Sequence, residues 1–248
     1  KRQESGYKEL DKYVSFFYFI PNYIRKITPA DIKSKSLVSW LVFDLANTLY
    51  AFVIPGLYFS VWLVEEQGWT DQQQGWATSS AMLVVAILGP WLGIKSDGSN
   101  GKKKYLLITT FICILSVFFL GTFSVLTSVI LFVISLIGFN LGSVVYDALL
   151  TSVSDEDKRG EISGLGVALG YVGSLIGFVV ATVLLNNGFS YIEIFRSIAL
   201  LFLVFSIPAF LFIKEKKFTD RESQINIFQS LQIAVSYTHL TLPTNSRV

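Results

Sequence analysis

The chain has 248 residues, 52% of them hydrophobic and only 15% charged, with a mean hydropathy of +0.55 and a formal net charge of +2. Soluble domains carry roughly 25% charged residues, so the composition excludes an ordinary water-soluble protein and points to a polytopic membrane protein. The single cysteine, Cys113, excludes a disulfide framework and a cysteine metal site, and its apolar surroundings give it a packing role.

Residues 1–36 hold eight Lys/Arg and four Asp/Glu. Within them 13–27 (YVSFFYFIPNYIRKI) is aromatic, broken by Pro21 and too short to span, since about 20 apolar residues are needed. It reads as a cytoplasmic or interfacial leader, lying on the membrane surface or partly disordered. Six apolar stretches follow, at 37–64, 75–95, 104–121, 126–151, 160–186 and 191–213. The 65–74 loop is acidic, the 96–103 loop is turn-rich and basic, and the 152–159 loop is charged. In that last loop Ser154 and Asp157 have the spacing of a capping box. The leader, the loop after the second stretch with Lys95, the loop after the fourth and the segment after the sixth hold 8, 4, 2 and 4 Lys/Arg, or 18 together, against Arg196 alone on the other side. Basic residues stay in the cytoplasm, so both ends are expected there. The expected fold class is therefore an all-α transmembrane six-helix bundle at 37–217. Residues 218–235 read as a cytoplasmic linker or surface helix. The polar residues 236–248 (SYTHLTLPTNSRV), with the only histidine, His239, resemble a translated adapter and are read as a non-native tail. With Lys rather than Met at position 1, the chain is expected to be a piece of a longer protein.

The first stretch carries the anomaly. Asp44, Asn47 and Thr48 stand at i, i+3 and i+4 of 39–56 (SWLVFDLANTLYAFVIPG) and share one helical face, continued by Ala51 and Pro55. At about 1.5 Å per residue, Asp44 lies roughly 10 Å in from the cytoplasmic end. A charge at membrane depth costs about 3 kcal/mol on insertion scales and marks a functional pathway by default. The face is either a polar lining that binds a cation, a proton or substrate, or a structural bond to a neighbouring helix. Pro55-Gly56 is expected to kink the helix. Tyr50, and Tyr146 with a second intramembrane acid, Asp147, join the candidates for substrate or coupling-ion contact. A second group, Gly93, Asp97, Gly101, Lys102, Lys103 and Arg159, surrounds the basic loops. A carboxylate there can cap a helix or bind a facing cation, making a cytoplasmic latch, or the loop is merely topogenic. Gly166, Gly170, Gly173 and Gly177 form a small-residue stripe for close helix packing. Gly160 with Gly164, Gly138 with Gly142, and Gly89 with Gly93 add shorter ones.

Zinc-protease, nucleophile-elbow and phosphate-loop motifs and His/Cys clusters are absent from the sequence, so no cofactor, metal or catalytic residue is expected. Topology explains the basic residues without nucleic acid.

Three segments carry a family resemblance: 39–54 (SWLVFDLANTLYAFVI), 88–107 (LGPWLGIKSDGSNGKKKYLL) and 144–177 (VVYDALLTSVSDEDKRGEISGLGVALGYVGSLIG). They resemble the N-terminal half of a major facilitator superfamily transporter. More narrowly, they are similar to the family of the fungal vacuolar amino-acid effluxers of autophagy and their bacterial relatives. The chain departs at Gly98, where Arg is expected, at Asp147, where Asn is usual, and at Thr151, where Pro is common. The resemblance implies twelve helices in two six-helix halves, with a small polar solute bound near the midplane between them. It implies rocking alternating access, a bacterial plasma-membrane location, coupling to protons through Asp44 or Asp147, and a missing C-terminal half as partner. Half a cavity cannot alternate access, so this polypeptide alone is expected not to transport. Competing readings are a non-transporting scaffold or degenerate transporter, and an intramembrane aspartyl protease, whose Gly-x-Gly-Asp signature the chain lacks.

Overall fold

Each apolar run forms a helix in the computed structural model, which describes residues 34–98 and 101–215. The leader up to residue 33, the linker at 218–235 and the tail at 236–248 lie outside the described residues. The helices are α1 (Lys35–Glu66), α2 (Asp71–Gly98), α3 (Lys102–Phe118), α4 (Val125–Val153), α5 (Arg159–Asn186) and α6 (Tyr191–Phe212). No strand occurs among the described residues. All but α3 are long and apolar enough to cross a membrane; α3 has 17 residues, at the lower edge of the spanning range of about 17–25.

Local chemistry sets the helix ends, and several differ from the apolar windows. The sequence places the second helix at 75–95, but α2 starts at Asp71 because Thr70 and Gln73 form a capping box. The Thr70 N–H donates to Gln73 Oε1 at 2.9 Å and the Gln73 N–H to Thr70 Oγ1 at 3.3 Å. Ser190 and Glu193 form the same box at the head of α6. Ser124 accepts from the Thr127 N–H and starts α4. The box expected at Ser154 and Asp157 does not form. Ser154 is buried and its hydroxyl donates to the Leu150 carbonyl at 2.7 Å, ending α4 instead of starting α5. Between α3 and α4 the chain turns at Gly121, whose φ of +73° suits glycine; a Cβ there would also stand 2.7 Å from Ile192 Cγ1.

Pro55 does not stop α1. Proline has no N–H to give, and the ladder slips to i→i−5 over Ile54–Tyr58, with the Phe59 N–H on the Ile54 carbonyl. A second π turn spans Trp62–Glu66.

The helices pack in a repeating pattern. Helix α1 lies against α5 and α6, α4 lies in the same way against α2 and α3, and α3 meets α6. Exchanging α1–α3 with α4–α6 maps these contacts onto themselves, and successive spans alternate in direction, so the bundle is an inverted repeat of three helices. An aromatic core fills its centre. Phe43, Tyr50, Phe59, Phe132, Phe195 and Phe202 are fully buried, and Phe59 stacks on Phe132 with ring centroids 4.1 Å apart. The outer face of α3 is apolar and exposed, with Leu107, Ile108, Phe111, Ile112 and Leu115, as a lipid-facing surface must be.

Candidate functional site

Two large rings fasten α1 to α4 in the half of the bundle that holds the start of α1. Trp40 stacks on Tyr146 with centroids 4.5 Å apart and planes at 9°. The Trp40 indole N–H donates to the Tyr146 carbonyl at 3.2 Å, and the Tyr146 hydroxyl donates to the Trp40 carbonyl at 3.3 Å. Phe43 packs on the same tyrosine at 5.2 Å. Buried aromatic rings with satisfied polar tips make rigid contacts. This clasp fixes how α1 faces α4, and so where Asp44 points.

One turn above Trp40, half-buried Asp44 faces the Tyr146 hydroxyl, and Asp147 stands within electrostatic reach of it. Asp147 itself is exposed. The Asn47 amide donates to Ser143 Oγ on α4 at 3.3 Å. Thr48 turns the other way. Its hydroxyl donates to the Asp44 carbonyl at 2.9 Å and packs under Gly170 of α5. The single face expected from spacing is thus divided: Asn47 looks to α4 and Thr48 to α5, with Asp44 between them. Tyr50 is fully buried between Phe139 and Phe202, and its hydroxyl pairs with Ser135 at 2.9 Å. Tyr50 and the ring of Tyr146 are thus packed in the core, while Asp44 and Asp147 stand within electrostatic reach of each other and Asn47 meets Ser143. Sequence reasoning missed Asn140 and Ser143. Both are half-buried and lie on the Asp147 face of α4 at i, i+3 and i+7, a spacing that could have disclosed them.

The glycine stripe of α5 explains the close approach of α1. A Cβ at Gly166 would lie 2.9 Å from Asp44 Oδ2, at Gly170 2.6 Å from Thr48 Oγ1, at Gly173 2.2 Å from the Leu45 carbonyl oxygen and at Gly177 2.7 Å from Val53 Cγ2. Gly138 and Gly142 do the same for α4 on α3, the former against the Thr109 carbonyl at 2.8 Å. Small residues let membrane helices approach this closely.

Between α2 and α3 Asp97 pairs with Lys102 at 2.7 Å, and Lys102 Nζ also donates to the Ala148 carbonyl of α4 at 3.4 Å. Gly101 is the N-cap of α3, Gly93 packs on Val144 of α4, and Arg159 is the first residue of α5. Lys103 goes to α6 instead: its Nζ donates to the Ile213 carbonyl at 3.1 Å, and its backbone N–H donates to Glu215 Oε1 at 2.7 Å. A carboxylate thus caps α3, but it is Glu215 and not Asp97. Ser36 adds a third tie, donating to the Phe212 carbonyl at 2.7 Å. The Lys102 side chain is 9% exposed but that of Asp97 is 63% exposed, so water screens the pair from the Asp97 side and its worth stays within the roughly 0–1 kcal/mol of surface bridges. Asp97→Asn is expected to change stability by less than about 1 kcal/mol, read as thermal unfolding in detergent. A larger loss would make this bridge a structural requirement.

Comparison with known proteins agrees with this architecture. The model of the Major Facilitator Superfamily matches residues 38–234. An uncharacterized MFS-type transporter of Bacillus subtilis, YxiO, is 29% identical over 153 residues, covering 58% of this chain and 36% of that protein. An uncharacterized protein of Aquifex aeolicus is 23% identical over 208 residues, covering 82% of this chain and 51% of that protein. The chain therefore spans about a third to a half of these relatives. The xylose transporter XylE from E. coli, in its inward-open conformation, has a similar fold, with a TM-score of 0.54 and 18% identity over 86% of this chain and 56% of that one. With its apolar helices and a family match over most of its length, the chain is an integral membrane protein and belongs to the Major Facilitator Superfamily.

Proposed function

We propose that this chain is the N-terminal six-helix half of a secondary transporter that moves a small polar solute across a bacterial plasma membrane by rocking alternating access. The observation that carries this reading is the polar group Asp44, Asn47, Ser143 and Asp147, set between α1 and α4 of an otherwise apolar bundle. Ionisable residues at membrane depth are costly and are kept for function. In this reading the α1–α4 face is one wall of a central cavity, and a second six-helix bundle supplies the other. Helices α2 and α5, less enclosed than α1, α4 and α6, are the surfaces offered to that bundle. The resemblance of 39–54 and 144–177 to the vacuolar effluxer family makes amino acids the first solutes to test and export the first direction. Asp44 and Asp147 are the candidates for proton coupling, with both ends of the half in the cytoplasm. The family points to a carrier and away from an enzyme.

The test is a solute panel of amino acids and sugars on the full-length protein in proteoliposomes, with and without a pH gradient. Accumulation of one solute class, raised by the gradient, is the expected result. The 248-residue chain alone is expected to give no uptake. Uptake by that chain alone would overturn the half-cavity reading, and a full-length protein inert to the whole panel would favour a scaffold.

A further inference from the structure

We infer that Gly166 is a positioning residue, whose bare Cα leaves room for the Asp44 carboxylate in the wedge between α5 and α4. The inference deepens the transport reading and rests on Asp44 as its working group. A Cβ at position 166 would lie 2.9 Å from Asp44 Oδ2, 3.0 Å from Trp40 Cζ3 and 3.3 Å from Trp40 Cη2. The indole cannot give way. It is 2% exposed, stacked at 4.5 Å on Tyr146, and locked by hydrogen bonds in both directions. The Asp44 backbone cannot give way either, since it lies in a continuous helix and its carbonyl accepts from Thr48. The carboxylate oxygens are the most easily moved of these atoms, while the indole contacts call for a shift of a few tenths of an ångström between α1 and α5. A methyl at 166 therefore turns Asp44 about its side-chain torsions, off α5 and toward Tyr146 and Asp147. Gly177 lies on the same stripe, where a Cβ would meet Val53 Cγ2 at 2.7 Å and Leu49 Cγ at 3.0 Å, both apolar. Position 166 is distinct in that the group it would displace is the acid itself.

The experiment reads the carboxylate directly in the 248-residue chain. Dicyclohexylcarbodiimide labels carboxylic acids in apolar surroundings, and peptide mass spectrometry locates the adduct; Asp44→Asn identifies the Asp44 signal by removing it. Gly166→Ala is expected to change the initial labelling rate of Asp44 at fixed pH by about threefold or more, as for a side chain driven off its rotamer. Gly177→Ala tightens the same helix pair away from the acid and is expected to leave the rate within about twofold, as for a distant, independent site. Equal rates in Gly166→Ala and the parent, or equal changes in both glycine variants, overturn the inference. Should Gly166→Ala fail to fold, Asp44→Ala/Gly166→Ala decides. Recovery of folded protein supports the contact with the carboxylate, and continued failure places the conflict on Trp40 and overturns it. The two readings fail separately: normal transport by full-length Asp44→Asn defeats the role of Asp44 but leaves the labelling result standing.

Discussion

Asp44→Asn in the full-length protein is expected to lower uptake to background, a loss of about 100-fold, while expression and membrane insertion persist. The substitution keeps the size and planarity of the side chain and can still face the Tyr146 hydroxyl. It therefore spares the packing between α1, α4 and α5. What it removes is the charge and the site for a proton. Coupling free energies between sites in one protein correspond to factors of about 5–150, and the loss expected for the proposed coupling group lies near the upper end. Uptake in proteoliposomes, set against the amount of inserted protein, measures the effect. Unchanged uptake would leave Asp44 as a structural bond between helices, the competing reading of the same face.

Gly173→Ala is expected to be the most damaging single methyl in the bundle. A Cβ there would stand 2.2 Å from the Leu45 carbonyl oxygen, 2.9 Å from its carbon and 3.0 Å from its Cα. These are backbone atoms of a helix, and no rotamer change relieves them. The two helices must part along their length, at a cost of about 3 kcal/mol. Gly93→Ala is the matched control. Its Cβ would sit 3.7 Å from Val144 Cγ1, an ordinary contact, and the gain in helix propensity makes it neutral or stabilising by up to about 1 kcal/mol. Thermal unfolding in detergent compares the two. Equal stability would show that α1 and α5 separate at no cost.

The six helices were legible because long apolar runs alternate with charged loops, a signal set by bilayer thickness. Their starts were less so. At Thr70 a capping box opens α2 ahead of its apolar run, so a hydropathy window begins too late there. Which helices touch was not legible, because a span facing lipid on one side and protein on the other is apolar all round. The site was half legible. Asp44 stood out as a charge, and spacing grouped it with Asn47 and Thr48. Spacing does not say which neighbour a face meets, and α4 and α5 divided that group between them. Asn140 and Ser143 are single polar residues in a strongly apolar run and gain meaning only from what α1 places opposite them.

The two π turns of α1 carry a consequence for any solute path along this helix. Each inserts one residue into the α ladder, and one residue is about 100° of azimuth at 3.6 residues per turn. The angular phase set by Trp40, Asp44 and Asn47 is thus advanced once at Ile54–Tyr58 and again at Trp62–Glu66. A stripe counted from Asp44 by threes and fours leaves the Asp44 face at Pro55 and does not return in step. Beyond it the hydroxyl of Tyr58 reaches Thr182 on α5 at 2.8 Å, and Ser60 meets Gln74 of α2. A cysteine-accessibility scan along α1 is accordingly expected to show one helical phase before residue 54 and a different one after it.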